Sequence, residues 1–379
     1  MSSKKAKLPL FDKVMLFLAV LAAVGLGVGM LAGQTDPRDD IWIAFAGLGY
    51  PFLLVANLLF VLFWLLRRRF MFGLATLAFI ALGWKTLTAT YQFLGDEGDA
   101  AKESEHYVRM MTYNVHQFKK YGENNDLSTK DQIIKVIENQ NPDVICFQEF
   151  FTRRKGEYDL IDSVKKRLKL KHYYFVPSVD NNYEAAGLAI FSRYPIKNKG
   201  KVSFGEFAGN GSIYADVDVK GQVFRIYNVH LQSISFQKED YDYIDKVTKK
   251  IGPEYKSSRR IASMLKAAFE RRSSQVGIMK AEMQQCKLPF VIAGDFNDTP
   301  ASYCVTQITN SLKNTFKEKG SGFGKTYNGA FPNFQIDYIA ATKDFDVMNH
   351  HVSKDKLSDH FPVRSDLRLN FSGEKDEDY

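Results

Sequence analysis

Six short polar clusters follow one another between residues 111 and 360, and each of them closes a hydrophobic run. In chain order they are Met111-Thr112-Tyr113-Asn114-Val115-His116, Gln148-Glu149, Asn228-Val229-His230-Leu231, Gly294-Asp295-Phe296-Asn297, Ile336-Asp337-Tyr338 and Ser358-Asp359-His360. Carboxylates, carboxamides and imidazoles therefore stand where β-strands are expected to end. An α/β sandwich can assemble a site for a hard metal ion and a phosphate group from such strand ends.

The cluster around Asp295 carries the strongest single signal. It follows the apolar run 290–293, which reads as a buried strand, and strand alternation places Asp295 and Asn297 on the same side. One carboxylate can then orient or deprotonate a water molecule while the amide of Asn297 holds the phosphate. The structural alternative is a simple turn.

Glu149 and Asn114 are the candidates for metal binding. A carboxylate at a strand end can bind Mg²⁺ through one oxygen, with water completing the coordination. Asn114 can offer its carboxamide oxygen to the metal or its amide hydrogens to the phosphate. The alternatives are a surface charge or helix cap for Glu149 and a turn residue for Asn114.

Two histidines complete the chemistry. Asp359 is a candidate metal ligand beside His360, and Asp337 can accept a proton from that imidazole, which would fix its tautomer and orientation. His230 ends a strand and can donate to the phosphate or to the leaving oxygen. A lone histidine is more often structural, but His360 has a candidate orienting partner.

Short β-rich segments bounded by polar turns must position these side chains. The predicted strands are 108–113, 144–147, 173–176, 188–192, 213–219, 223–229, 290–293 and 336–340. Helical patterns cover 128–140, 157–168 and 256–285. The hairpin 213–229 turns at Lys220-Gly221, which purely parallel wound sheets lack. Two mixed sheets packed face to face with helices outside fit better. The polar, Tyr- and Lys-rich segment 233–258 is either a lid or a solvated insertion.

The first 94 residues have a different composition. Three apolar blocks, about 14–32, 41–66 and 70–87, reach or approach the roughly 18–20 residues of a membrane-spanning helix. A cleaved signal peptide is the alternative for the first block. We therefore predict a transmembrane anchor over 1–94, an acidic linker over 95–106, a catalytic domain over 107–371 and an acidic tail over 372–379.

Basic residues predict the orientation. Four lysines precede or begin the first block, and Arg67, Arg68 and Arg69 form the second loop, whereas the first loop has only Arg38 against three aspartates. Because positive residues stay cytoplasmic, the N-terminus is expected inside. The catalytic domain is then periplasmic or extracellular, on a bacterial-type inner (plasma) membrane.

The net charge of +8 is unevenly distributed. The anchor region has nine Lys/Arg against four Asp/Glu, and the remainder has 42 against 39. The catalytic part therefore lacks the basic bias of a dedicated nucleic-acid binder. Cys146 reads as a core residue, while Cys286 and Cys304 could pair in an oxidising compartment.

In their order and in their residues, the six clusters resemble the motifs of the endonuclease/exonuclease/phosphatase superfamily. That superfamily includes DNase I-like nucleases, AP endonucleases, neutral sphingomyelinases, inositol-polyphosphate phosphatases and deadenylases. The resemblance covers about 108–369, and the segment 187–196 also matches a strand-and-turn signature of the family. It implies an α/β (α+β) fold, namely a four-layer αββα sandwich with the site at one edge of two mixed β-sheets.

The resemblance also implies a role for each site residue. Glu149 would be the principal Mg²⁺ ligand (Mn²⁺ is the alternative ion). Asn114 would contact the metal and the phosphate, and Asp295 and Asn297 would bind the nucleophilic water. Asp337 would orient His360, and Asp359 would be a second contact to the metal or the phosphate. His230 would donate to the phosphate, with Glu184 as the partner of His230. AP endonucleases have a different residue type at the position of His230, so that branch fits less well.

Three functions are carried forward. The first is a membrane-anchored, nuclease-like phosphodiester hydrolase, which should have a basic groove; Lys249, Lys250, Arg259 and Arg260 could supply it. The second is a phospholipase C-like lipid head-group or inositol-phosphate hydrolase, which should have an apolar rim facing the bilayer. The third, a non-catalytic scaffold in a membrane complex, is disfavoured because Glu149, Asp295 and His360 are all present.

Overall fold

The computed structural model describes residues 8–119, 127–205, 210–234, 236, 239–240, 242–244, 255–329 and 334–370. Most of the polar segment 233–258 lies outside these residues, as does the whole acidic tail 372–379. The described chain consists of an N-terminal group of apolar helices followed by a two-sheet sandwich.

Five helices form the N-terminal region. They are α1 (Leu10–Leu31), α2 (Ile41–Leu48), α3 (Tyr50–Leu66), α4 (Phe70–Leu82) and α5 (Trp84–Thr90). By length and composition, α1 alone can cross a membrane. The pairs α2–α3 and α4–α5 bend by 62° and 77°, so the total reaches three only if each bent pair makes one span. Both breaks fall at a glycine, Gly49 and Gly83, where helix propensity is low. The three-span anchor therefore stays a prediction.

A buried charge cluster ties two of these helices together at one end. The carboxylate of Asp12 on α1 is fully buried and lies 2.8 Å from Arg67 Nη2 and 3.4 Å from Arg69 Nε. The start of α1 and the loop between α3 and α4 are therefore neighbours. The other ends of these helices, at Leu31 and Tyr50, face the sandwich.

Thirteen strands of the described chain form the two sheets. The first sheet contains β1 (Val108–Asn114), β2 (Val144–Arg153), β3 (His172–Asp180), β4 (Glu184–Ser192), β11 (Phe345–Val347), β12 (His351–Val352) and β13 (Val363–Leu369). Its order is β11-β13-β1-β2-β4-β3, with β12 also on β13. The second contains β5 (Ile196–Val202), β6 (Gly211–Val219), β7 (Gln222–His230), β8 (Phe290–Asp295), β9 (Lys313–Asn314) and β10 (Asp337–Ala341). Its order is β5-β6-β7-β8-β10-β9.

Three apolar layers hold the sandwich together. Inward-facing side chains such as Met110, Cys146, Ile226 and Ile339 fill the space between the sheets and are fully buried. Helices α6 (Leu127–Gln140) and α7 (Leu160–Arg167) cover the first sheet, and α8 (Tyr255–Gln285), α9 (Tyr303–Ile308) and α10 (Thr315–Lys319) lie on the side of the second. The αββα sandwich expected from the sequence is therefore confirmed.

The eight predicted strands are all present, but the last strand of the first sheet was missed. β13 contains Arg364, Ser365 and Asp366, all of them buried. Asp366 binds the guanidinium of Arg109 on neighbouring β1 through two hydrogen bonds of 2.6 and 2.7 Å. This pairing makes a polar strand compatible with the interior. Cys286 and Cys304 are free thiols and do not form the disulfide that was considered.

Candidate active site

Sheet topology gathers the six clusters at one edge of the sandwich. β1 runs parallel to β2, and β7 runs parallel to β8, so each pair ends at one edge of its sheet. The two edges meet, because Asn114 at the end of β1 lies 3.1 Å from Asp295 at the end of β8. β10 is antiparallel to β8, which sets Asp337 opposite Asp295. β13 is antiparallel to β1, so residues just before β13 lie beside the end of β1. This edge thus holds Asn114, Glu149, His230, Asp295, Asn297, Asp337, Asp359 and His360.

A buried carboxylate–imidazole pair lies at the centre of the site. His360 Nδ1 is 2.9 Å from Asp337 Oδ2, and His360 Nε2 faces Asp295 Oδ2 at 3.7 Å. The ring of Tyr327 packs edge-on against the imidazole with centroids 5.2 Å apart. The predicted orienting contact between Asp337 and His360 therefore exists, and it leaves Nε2 directed into the site.

The electrostatics of this pair follow from its burial. Burial disfavours the imidazolium, but the carboxylates of Asp337 and Asp295 outweigh that effect and hold the pKa of His360 well above its usual range. Burial raises the pKa of Asp295, although His360 opposes the shift. The pair can therefore hold a proton at Nε2 beside a carboxylate that accepts protons more readily than an exposed aspartate.

Asn114 links the two sheets at the site. Its Nδ2 donates to Glu149 Oε1 at 3.2 Å and to Asp295 Oδ2 at 3.1 Å, while its Oδ1 accepts from the backbone N–H of His116 at 3.1 Å. Both polar atoms of the amide thus have protein partners, and the two roles considered for Asn114 stay predictions.

The backbone turns Glu149 out of its strand. The pairing of β2 with β4 shifts register between Phe147 and Phe150, and Glu149 has a left-handed φ of 51°. Such a bulge re-aims a side chain. The Glu149 carboxylate is one-third exposed and lies 3.7 Å from His116 Nδ1, and Asp359 Oδ1 is 3.6 Å from the same nitrogen. The carboxylates of Glu149 and Asp359 therefore face the same nitrogen of the partly exposed His116 imidazole.

Two sets of ligand atoms at this edge could hold a cation. The first is Asp295, Asp337 and His360, whose ligand atoms all lie within 4.8 Å of one another. The second is the pair Glu149 and Asp359, which face the same His116 nitrogen at 3.7 and 3.6 Å and do not form so compact a group among the described residues. The first set is buried, and its imidazole Nδ1 already contacts Asp337. The second is more accessible and all-oxygen, which suits a hard divalent cation such as Mg²⁺.

His230 and Asn297 flank Asp295. His230 Nε2 is 3.5 Å from Asp295 Oδ2. Asn297 has a left-handed φ of 52°, and its Nδ2 donates to the carbonyl of Leu231 at 3.0 Å, which fastens it to the loop after β7. The predicted pairing of Glu184 with His230 is wrong. The Glu184 carboxylate lies 3.6 Å from Arg153 Nε, and Glu184 pairs with Arg153 at the end of β2, past the bulge at Glu149.

Asn228 was part of a recognised cluster but received no role. Its Nδ2 donates to the carbonyls of Phe147 and Ala189, each at 2.9 Å, and its Oδ1 accepts from Gln148 Nε2 at 2.6 Å. A fully buried amide therefore joins the second sheet to the strand that bulges at Glu149. The signal available was an asparagine inside an otherwise apolar strand. No sequence feature marked Tyr327 as a site residue, because its contact with His360 forms only when distant segments of the chain pack together.

The chain is similar to known proteins over most of its length. Residues 111–360 match a model described as Endonuclease/Exonuclease/phosphatase family, and residues 12–90 match one described as Domain of unknown function (DUF8431). No curated protein matches the chain.

Solved structures resemble the sandwich. The human Nocturnin catalytic domain with bound sulfate is 18% identical with a TM-score of 0.50, covering 71% of this chain and 97% of that one. An endonuclease/exonuclease/phosphatase from Beutenbergia cavernae DSM 12333 is 20% identical with a TM-score of 0.47, covering 70% and 72%. One from Bacteroides vulgatus is 20% identical with a TM-score of 0.49, covering 70% and 99%. At these identities the likeness concerns the fold.

The family match extends from Met111 in the first cluster to His360 in the last, and so includes every strand end that builds the site. It covers more than half of the chain. This protein therefore belongs to the endonuclease/exonuclease/phosphatase family and is a metal-dependent phosphoric ester hydrolase.

Proposed function

We propose that the protein is a membrane-anchored, Mg²⁺-dependent phosphodiester hydrolase whose catalytic domain lies on the non-cytoplasmic side. One observation carries the proposal. A buried acid–base group, Asp295 with His360 and Asp337, adjoins the partly open carboxylates of Glu149 and Asp359. Hydrolysis of a phosphodiester needs both parts, because water must lose a proton while negative charge develops on the phosphate.

Glu149 and Asp359, with Asn114 beside them, would hold the cation. When bound, the cation supplies charge neutralisation and polarises the phosphoryl group. Asp295 orients the attacking water and accepts its proton. His360, held by Asp337, presents a proton at Nε2 to a phosphate oxygen, and Asn297 helps to hold the loop on which the phosphate rests. His230 donates to the leaving oxygen.

The anchor supports the orientation. Arg67 and Arg69 pair with Asp12 at the end of the helices that is remote from the sandwich. Basic loops stay in the cytoplasm, so the opposite end and the catalytic domain would face the periplasm or exterior. The long apolar helix α1 supports attachment to the bilayer.

The test uses full-length protein in detergent with bis(4-nitrophenyl) phosphate as the activated phosphodiester. We expect hydrolysis with Mg²⁺, loss of it with EDTA and recovery with Mg²⁺ or Mn²⁺. Glu149→Gln keeps the side-chain shape but removes the charge. It should lower turnover by about 10²-fold or more, because metal stabilisation of the transition state is worth several kcal/mol.

Glu184→Gln is the matched control, because Glu184 is an exposed glutamate on the same sheet that pairs with Arg153. It should retain both Mg²⁺ binding and turnover. Calorimetry that finds the same Mg²⁺ affinity in Glu149→Gln and in the unmodified protein would contradict the role of Glu149.

A further inference from the structure

The site edge of the sandwich is the edge that contacts the anchor. The segment after β7 reaches it through Ile234, which packs against the apolar cluster formed by Ala44 of α2 with Leu265 and Phe269 of α8. The segment after β8 reaches it through Ala301, which packs into the anchor core beside Leu26 and Tyr50. Ala301 is four residues beyond Asn297, and Ile234 is four residues beyond His230.

A third segment of the same edge touches the anchor just before β10. The ring of Phe334 lies 5.9 Å from the ring of Phe52, near the start of α3. Phe334 is three residues before Asp337, and its carbonyl accepts from the backbone N–H of Tyr327, the residue that packs on His360. The three segments that carry His230, Asn297 and Asp337 therefore all contact the anchor.

Polar contacts fasten this arrangement. Ser273 on α8 donates to Asp36 at 2.6 Å, and Gln307 Nε2 donates to the carbonyl of Gly33 at 3.0 Å. Both partners belong to the loop between α1 and α2. The described sandwich is therefore held on the anchor by side chains as well as by apolar packing.

The N-terminal helices end or bend where the sandwich contacts them, which is where the surface of a bilayer is expected. α1 ends and α3 begins there, and the two bent helices α2 and α5 leave the direction of their partners by 62° and 77° at this level. Trp42 on α2 and Trp84 on α5 are 76% and 58% exposed, and Phe93 just beyond α5 is exposed as well. Tryptophan and other aromatic residues favour the boundary between lipid and water.

We infer that the substrate is a membrane lipid, with its phosphodiester presented from the leaflet on which the catalytic domain sits. This inference rests on the proposed function and names its substrate class. Water adds to phosphorus, one ester P–O bond breaks, and the departing alcohol oxygen takes a proton. The products are one alcohol and one phosphomonoester, so atoms and charge balance.

Nucleic acid fits this placement less well. A polyanion would have to enter between the site edge and the bilayer surface. Of the four basic residues considered for a nucleic-acid groove, Lys249 and Lys250 lie outside the described residues, and Arg259 is exposed near the start of α8. Arg260 Nε is 3.0 Å from Asp240 Oδ1, so its charge is paired.

The experiment reconstitutes the full-length protein in vesicles of phosphatidylcholine and phosphatidylglycerol and measures hydrolysed lipid phosphodiester. A second sample gives the same amount of substrate lipid in separate vesicles that lack the protein. We expect the rate with lipid in the protein's own bilayer to be at least about tenfold higher, since sharing a surface raises the effective concentration. A single-stranded DNA oligonucleotide and bis(4-nitrophenyl) phosphate are assayed beside the lipids.

The outcomes separate the two proposals. Hydrolysis of bis(4-nitrophenyl) phosphate without hydrolysis of lipid overturns the lipid assignment and leaves the proposed function standing. Preference for DNA, or equal rates for lipid in the same and in separate vesicles, also overturns it. No hydrolysis of any of these substrates refutes the proposed function, and the lipid assignment with it.

A variant tests whether lipid enters the site along this edge. Phe52→Ala removes the ring that meets Phe334 at the site edge and should lower the ratio of the lipid rate to the soluble-diester rate several-fold. Phe17→Ala is the matched control, because Phe17 is a similarly exposed phenylalanine within α1. Equal ratios for the two variants would count against entry of lipid along this edge.

Discussion

At the scale of single residues, the site depends on buried polar side chains that each contact two partners. Asn114 donates to Glu149 and Asp295, and His360 lies between Asp337 and Asp295. Removing one member leaves its buried neighbours without compensation, which costs more than the net value of one hydrogen bond. Mutations here should therefore affect pairs of residues and should not be additive.

The pair formed by Asp337 and His360 allows a direct test of this coupling. Asp337→Asn should lower kcat by about 10²–10⁴-fold, as is typical of a group that supports acid–base catalysis, and should change KM less. The double variant that also replaces His360 with alanine should be little worse than His360→Ala alone.

His230 provides the comparison within the same cycle, measured on an activated phosphodiester. His230 Nε2 and His360 Nε2 face the same Asp295 oxygen at 3.5 and 3.7 Å, but His230 is not bonded to Asp337. Its loss should therefore compound that of His360 more than the loss of Asp337 does. Independent, multiplicative losses for Asp337 and His360 would instead return Asp337 to a strand-end residue without a catalytic function.

Asn228 makes a second prediction at this scale. Asn228→Ala removes the donor of two buried carbonyls, which costs about 1–3 kcal/mol for each unsatisfied group. It should lower the melting temperature and, by loosening β2 beside Glu149, reduce Mg²⁺ affinity. The control is Asn198→Ala, an exposed residue on β5 whose amide contacts Asp216. We expect that change to stay within about 0.5 kcal/mol; equal melting temperatures for the two variants would refute the bridging function.

At the scale of elements, close helix packing fixes the position of the anchor. Gly47 on α2 faces Ala32 at the end of α1, and a Cβ atom at Gly47 would overlap the Ala32 methyl group. The carbonyl of Ala301 also lies near this point. The absence of a side chain at Gly47 therefore allows α1, α2 and the segment after β8 to approach one another.

Gly47→Ala should consequently destabilise the protein by about 1–3 kcal/mol, the usual effect of overpacking. Gly277→Ala is the control, because Gly277 lies on the exposed face of α8 with open space around its Cβ position. There alanine should be neutral or stabilise the helix by up to about 1 kcal/mol. Thermal unfolding in detergent measures both; a Gly47→Ala variant that is as stable as Gly277→Ala would exclude a tight contact.

At the scale of the whole molecule, the anchor and sandwich define one direction. Asp12, Arg67 and Arg69 cluster at one end of the helices, and the catalytic edge lies at the other. We predict the orientation across the membrane from the basic residues. It decides which leaflet the site faces.

Reporter fusions measure this orientation. Alkaline phosphatase, which is active only outside the cytoplasm, should be active when fused after Glu105 and inactive when fused after Arg69. A fluorescent reporter that folds only in the cytoplasm should give the reverse pattern. A signal from the cytoplasmic reporter fused after Glu105 would place the catalytic domain in the cytoplasm and refute the predicted localisation.

The sequence by itself determined the features that depend on neighbouring residues. Strand periodicity, the polar residues at strand ends and the apolar blocks are local patterns, so eight strands, the αββα sandwich and the polar residues that meet at one edge could be predicted. The pairing of Asp337 with His360 was also predictable, because the order of the clusters resembles a known family.

Only the tertiary structure determined the features that depend on contacts between residues far apart in the sequence. β13 was missed because its buried charges are compensated by Arg109, 257 residues away from Asp366. The partner of Glu184 was predicted wrongly because the register of β2 and β4 decides it. The placement of the site edge on the anchor rests on contacts such as that of Ser273 with Asp36, 237 residues apart. Such contacts form when whole elements pack, and no local periodicity encodes them.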